Sequence, residues 1–142
     1  EQFGKYVLPD NHGVIEIIAG NYQGVVGPAY SFTPIEMYNL RLNQGANLVL
    51  DLPQNYNTCF LIIEGNVVVN GKDVFTDHLV LFANDGNAIQ ITTQENAIVL
   101  VLSGEPINET IFPYGPFLMN TKQEILQAYE DLNNGKFGYL ED

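Results

Sequence analysis

The sequence predicts an all-β fold, a sandwich or barrel of short antiparallel strands, followed by one C-terminal α-helix. Three observations carry that prediction. From Gly13 to Ser103, short apolar or alternating stretches are separated by Gly, Asn, Asp and Pro, the pattern of many short strands joined by tight turns. Asn70-Gly71 directly follows Val67-Val68-Val69, and Asn-Gly supplies the two positive-φ residues of a type I′ hairpin turn. A helix signal arrives only after the strands end, so nothing interrupts antiparallel pairing in two packed layers.

Taken in order, the pattern yields about eight strands. In Glu36–Asn43, Tyr38, Leu40 and Leu42 share one face while Asn39, Arg41 and Asn43 share the other, the period of two of a half-buried strand. Leu48, Leu50 and Leu52 repeat it against Asn47 and Asp51. Cys59–Ile63 and Ala97–Leu102 are continuous apolar runs, expected to be central strands covered on both faces; their β-branched content and flanking turns favour strand over buried helix. Asn84-Asp85-Gly86-Asn87 and Gln94-Glu95-Asn96 mark further reversals.

After Ser103, Gly104-Glu105-Pro106 and Pro113-Tyr114-Gly115-Pro116 are too proline-rich for a central strand, and an ordered surface loop is expected there. Thr121 and Glu124 have the spacing of a capping box, so a helix starts at this point. Its apolar stripe is read as Ile125, Leu126, Tyr129 and Leu132, with Gly135 as the left-handed residue that ends it.

The chain has 142 residues, the size of one domain with one core. Hydrophobic residues make up 46% and charged ones 15%, enough apolar material to offset the entropy of folding. Seventeen Asp plus Glu against five Lys plus Arg give a net charge of −12, which repels phosphate backbones and anionic lipid, so neither direct nucleic-acid binding nor membrane binding is expected. No apolar run approaches the roughly 20 residues of a membrane helix, and Glu1-Gln2-Phe3-Gly4-Lys5 lacks the build of a signal peptide. A soluble, cytoplasmic protein is expected. The chain begins without methionine, which fits a piece of a longer protein.

The residues available for chemistry are few. With only His12 and His78, no three-histidine metal cage can be built, and a metal site would need carboxylates to complete it. His12 lies in the turn sequence Pro9-Asp10-Asn11-His12-Gly13 and reads as a solvated imidazole. His78 opens the strand His78–Ala83 beside Asp77 and reads as a strand-edge histidine with a local hydrogen bond, the alternative being an Asp–His pair behind a metal. Cys59, the one cysteine, excludes an internal disulfide or a thiolate zinc cluster, and without a basic neighbour in sequence it reads as a small hydrophobe. Asp131-Leu132-Asn133-Asn134-Gly135 fails the register of a calcium loop, because the glycine comes one residue early. Asn108-Glu109-Thr110 matches the N-glycosylation pattern, a three-residue motif that recurs by chance. Gly-x-Ser-x-Gly, P-loop and Gly-x-Gly-x-x-Gly motifs are absent.

Four segments occur in a familiar order: Gly20-Asn21-Tyr22-Gln23-Gly24-Val25-Val26-Gly27-Pro28-Ala29, Ile63-Glu64-Gly65-Asn66-Val67-Val68-Val69-Asn70-Gly71, Ser103-Gly104-Glu105-Pro106-Ile107-Asn108-Glu109 and Tyr114-Gly115-Pro116-Phe117-Leu118-Met119-Asn120-Thr121. Together they resemble the C-terminal domain of the pirin family, in the cupin superfamily. The resemblance implies a cupin jelly-roll β-sandwich, in agreement with the strand pattern. It implies a domain over residues 13–138, preceded by an N-terminal segment or interdomain linker at 1–12 and followed by a tail at 139–142. Pirins carry two such domains face to face, with iron or a similar divalent metal on three histidines and a glutamate of the N-terminal one. The corresponding stretches here, Asp51–Thr58 and Ala88–Ile91, hold no histidine, so no catalytic, cofactor-binding or metal residue is assigned to this chain.

The expectation that follows is a metal-free C-terminal cupin domain. Its partner would be the N-terminal cupin domain missing here, and any quercetin dioxygenase activity would belong to the parent protein. Two alternatives stand beside it. One is an acidic interaction module of a pirin-type transcriptional co-regulator, docking a protein partner through the exposed Tyr114–Met119 stretch, Phe117 above all. The other is a cupin barrel that binds a small ligand in its interior. A half-molecule of this kind is also expected to self-associate.

Overall fold

The computed structural model describes residues 2–140. Glu1, Glu141 and Asp142 lie outside the described residues, so the expected N-terminal segment and tail are covered only in part. The strands are β1 Gly4–Val7, β2 Gly13–Ala19, β3 Asn21–Tyr22, β4 Val25–Val26, β5 Ile35–Leu42, β6 Asn47–Asp51 and β7 Asn57–Glu64. They continue with β8 Val67–Val69, β9 Lys72–Val74, β10 Leu79–Leu81, β11 Ala88–Thr93, β12 Ala97–Gly104, β13 Phe112–Tyr114 and β14 Phe117–Met119, before the helix α1 Lys122–Asn133. The chain gathers into two compact units, one through Pro106 and one from Ile107 onward.

The first unit is a cupin β-sandwich. A six-stranded sheet in the order β1-β2-β5-β12-β7-β10 faces a four-stranded sheet in the order β6-β11-β8-β9, and every ladder is antiparallel. Between Gly13 and Ser103 there are eleven strands rather than about eight. The additional ones, β3, β4 and β9, are two or three residues long, too short for alternation to register. Asn70 and Gly71 take φ of +48° and +76° and bring Val69 opposite Lys72, the tight turn their sequence predicts.

The inner faces meet in one core. Ile15, Tyr38, Leu40, Phe60, Ile62 and Val99 from the six-stranded sheet pack with Leu50, Val67 and Ile91 of the four-stranded one. The alternation read in Glu36–Asn43 and at Leu48–Leu52 falls on the buried phase.

Three readings change. The runs Cys59–Ile63 and Ala97–Leu102 are central strands, but not covered on both faces: Phe60, Ile62, Val99 and Val101 are buried, while Cys59, Leu61, Leu100 and Leu102 are only half-buried and Ile63 is exposed. A two-layer sandwich gives every strand one outward face, and a continuous apolar run does not say what lies on it. Residues 4–7, read as part of a segment ahead of the domain, form β1, with Gly4 opposite Ile17, Val7 opposite Val14 and Tyr6 against the core. Pro113–Pro116, read as a surface loop, is a hairpin in which β13 pairs with β14. The ladder tolerates Pro113 because it stands opposite Leu118, one step out from the Tyr114–Phe117 pair that flanks the turn. That step is a non-hydrogen-bonded position, where a missing N–H loses nothing.

The second unit combines this hairpin with α1. Thr121 Oγ1 accepts from Glu124 N at 3.2 Å, and the Glu124 carboxylate accepts from Thr121 N at 2.8 Å, so both halves of the capping box are made. At the other end Gly135, with φ of +69°, donates to the Leu132 carbonyl while Lys136 N donates to the Asp131 carbonyl, the paired bonds of a Schellman motif. The buried stripe differs from expectation: Ile125 and Ala128 are buried and Tyr129 half-buried, while Leu126 and Leu132 are exposed. Spacings of three and four residues select 125, 128 and 129, and Leu126 lies about 100° around the helix from Ile125.

Candidate functional site

At one end of the sandwich, Gln54, Tyr56, Thr58, Phe82, Asn84 and Ile89 line a recess of about 60 Å³. It draws on both Asp51–Thr58 and Ala88–Ile91, the stretches that correspond to the ligand positions of a metal-bearing cupin. Thr58 and Ser103, opposite each other on β7 and β12, share a buried hydroxyl–hydroxyl hydrogen bond of 2.7 Å. The Phe82 ring packs edge-on against Phe60 at 4.7 Å. Burial, and behind it the negative charges of Glu105 and Glu36, push the Tyr56 phenol up. Asp51 accepts from the Asn87 amide at 2.7 Å, and Ile89 and Ile91 enter the core.

Asp85 is the one carboxylate among the described residues that lines this recess, beside amide, hydroxyl, phenol and phenyl groups, a poor donor set for a divalent ion, which needs carboxylate, imidazole or thiolate ligands in number. Among the described residues no group of three or more His, Cys, Asp or Glu side chains is placed to hold a metal. The recess is also well below the several hundred Å³ of an ordinary small-molecule pocket.

None of the candidate residues of the sequence is among those that line the recess. His12 follows the short turn Pro9–Asn11 and accepts from Asn47 N through Nδ1 at 3.5 Å. His78 lies with Nδ1 3.1 Å from the Thr76 carbonyl and its ring against Phe75. This is the local hydrogen bond expected of it, whereas Asp77 occupies a left-handed turn position at φ +65°. Burial pushes the Cys59 thiol up, away from thiolate chemistry. The Asp131 carboxylate accepts from Lys136 Nζ at 2.7 Å and from Gln127 at 2.9 Å, and these two hydrogen bonds hold it below the usual carboxylate range. Asn108 is exposed at φ +57°. Phe117, the proposed partner contact, is half-buried, with its ring centroid 5.1 Å from Tyr129 of α1; Tyr114 and Leu118 are the large apolar side chains of that stretch that are exposed.

Two carboxylates escaped the sequence reading. Glu16 is buried on the outer face of the six-stranded sheet, where its Oε2 accepts from Asn39 Nδ2 at 2.8 Å and from Arg41 Nε at 2.9 Å. The Asn39 amide, helped by Arg41 and Lys5 and opposed by burial, holds this carboxyl below its ordinary value. Glu36 accepts from Asn21 N at 2.9 Å and from the Tyr38 hydroxyl. The only signal for Glu16 was its place on the outward phase of β2, opposite Asn39, which becomes visible once the register is known.

That register also orders the rest of the outer face. One row across the sheet runs Leu79, Leu61, Leu100, Asn39, Glu16, Lys5, and the next runs Leu81, Cys59, Leu102, Met37. The half near β10 is therefore apolar and the half near β1 polar, with Leu79 and Leu81 56% and 75% exposed. Among the described residues no helix is long and apolar enough to cross a membrane.

The profile of the pirin C-terminal cupin domain matches residues 37–138. The chain belongs to the pirin family. A Pseudomonas aeruginosa protein whose name marks it as a candidate quercetin 2,3-dioxygenase is 36% identical over 130 residues, covering 92% of this chain and 46% of its own. Mouse pirin is 29% identical over 137 residues, covering 92% of this chain and 47% of its own. A crystal structure of quercetin 2,3-dioxygenase from Acinetobacter baumannii superposes with a TM-score of 0.88 at 33% identity, covering 99% of this chain and 49% of that one. This chain thus spans about half the length of the relatives it matches.

Proposed function

We propose that this pirin domain is the metal-free C-terminal half of a two-cupin molecule. In that role it supports and closes over an N-terminal cupin that carries iron or a similar divalent metal. The observation that carries this reading is the outer face of the six-stranded sheet, where the Leu79 and Leu81 rows present a continuous apolar surface beside a polar patch around Glu16. Such a surface is the kind that a neighbouring domain covers. The relatives, about twice as long, support it.

On this reading any turnover of flavonols such as quercetin belongs to the parent protein. The domain shapes access to the metal from one side, and none of its residues acts on the substrate. The test is metal analysis of the purified chain together with oxygen uptake in the presence of quercetin. Background metal content and no oxygen consumption are expected; iron bound in stoichiometric amount, or turnover by this chain alone, overturns the proposal.

A further inference from the structure

A groove of about 710 Å³ runs beside the loop between β4 and β5, lined by Asn21, Val26, Pro28, Tyr30, Phe32 and Glu36 among others. The loop is tied down rather than loose. Gly27 N donates to the Gly20 carbonyl, Ala29 N to Ile18 and Glu105 N to Pro34, each at 3.0 Å, and the Ser31 hydroxyl donates to the Thr33 carbonyl. Held this way, it displays two aromatic rings in water: Tyr30 is 83% and Phe32 95% exposed, locked edge to face at 5.2 Å.

The same groove is lined by a positioned carboxylate. Glu36 Oε2 is occupied by Asn21 N and the Tyr38 hydroxyl, while Oε1 has no hydrogen-bond partner among the described residues. Gly20 makes room for it, since a Cβ there would strike both the Glu36 carboxylate and the Ile35 carbonyl. No Lys or Arg among the described residues lines the groove.

Exposed aromatic faces beside an anchored carboxylate, with no cation of their own, form the complement of a guanidinium group, which stacks on π faces and pairs with carboxylates. We infer that this groove docks an arginine side chain from a basic segment of a partner protein. The guanidinium lies over Tyr30 and Phe32 and pairs with Glu36 Oε1, and the net charge of −12 steers the approach of such a segment. The inference stands independently of the two-cupin proposal.

The test uses the full chain and a fluorescein-labelled peptide of alternating arginine and alanine. Binding is followed by anisotropy and mapped by amide chemical shifts on the isotope-labelled protein. The expected result is shifts concentrated in residues 20–36 and a loss of about fivefold or more in affinity for Phe32→Ala, for Glu36→Gln and for a citrulline version of the peptide. Asp73→Asn, at an exposed carboxylate outside the groove, changes affinity by less than about twofold. Phe32 is almost wholly exposed and glutamine keeps an acceptor for Tyr38, so both variants fold. Absence of binding, shifts spread over the whole acidic surface, or equal losses for Asp73→Asn and Phe32→Ala each overturn the inference.

Discussion

Glu16 is the residue where charge and burial are most closely balanced. Its carboxylate is buried but its cationic partners are not: the Arg41 and Lys5 side chains are 55% and 61% exposed, so water screens most of their attraction. What holds the charge is first the Asn39 amide. Because the folded pKa lies below the ordinary 4.5, the ionised form stabilises the fold. That contribution is complete above the unfolded value and disappears as the pH falls through the lower, folded one. Replacing Glu16 with Gln should cost about 1 kcal/mol at neutral pH, since Gln keeps the shape and part of the hydrogen bonding. The difference should shrink as denaturation is followed below pH 4.5. Urea melts of both proteins at several pH values check this, and a gap that stays constant into acid would show that the charge is irrelevant. Nothing in the sequence singled out Glu16, because one acidic residue on a strand reads as solvated until its cross-strand neighbours are known.

At the scale of the element, what could be read depended on how far apart the determining residues lie. The helix start was legible because its cap is complete within four residues, Thr121 to Glu124, and its end because Gly135 supplies the left-handed φ locally. The Asn70-Gly71 hairpin was legible for the same reason. The strands β1 and β13–β14 were not: Gly4–Val7 has too little pattern of its own and is defined by pairing with Val14–Ile17, and Pro113 hid a hairpin whose register excuses it. The Glu36 carboxylate was not legible either, because it is held by Asn21 from β3 together with Tyr38 two residues along its own strand. The cap is the local device most open to a direct test. Thr121→Ala removes the acceptor for Glu124 N and should destabilise the first turn of α1 by about 1 kcal/mol. Amide hydrogen exchange should then accelerate roughly fivefold at Glu124 and Ile125, whose N–H groups both bond to Thr121, while the β-sandwich is unaffected. An unchanged rate at those two amides would mean that packing against the hairpin, rather than the cap, fixes the helix start.

At the scale of the whole molecule, the acidic composition and the apolar sheet face pull in opposite directions. A net charge of −12 keeps copies apart by long-range repulsion. The rows ending in Leu79 and Leu81 instead offer a short-range apolar surface at a sheet edge that carries no charged residue, since β10 is Leu-Val-Leu. Repulsion between exposed charges is screened beyond about 8 Å at physiological salt, whereas apolar contact is not weakened by salt. If this face is the one that a second cupin covers, as proposed, the chain by itself should dimerise reversibly, and more strongly as salt is raised. Leu81, which is 75% exposed and lies opposite Cys59, is the position at which to block it. Leu81→Glu places a charge in the middle of the contact without disturbing the core, because Val80 and not Leu81 packs inward. Sedimentation velocity at low and high salt should show the dimer in the unmodified chain and a monomer in the variant. A monomer at every salt and protein concentration, or a dimer insensitive to Leu81→Glu, would mean that this face is not the one the molecule uses.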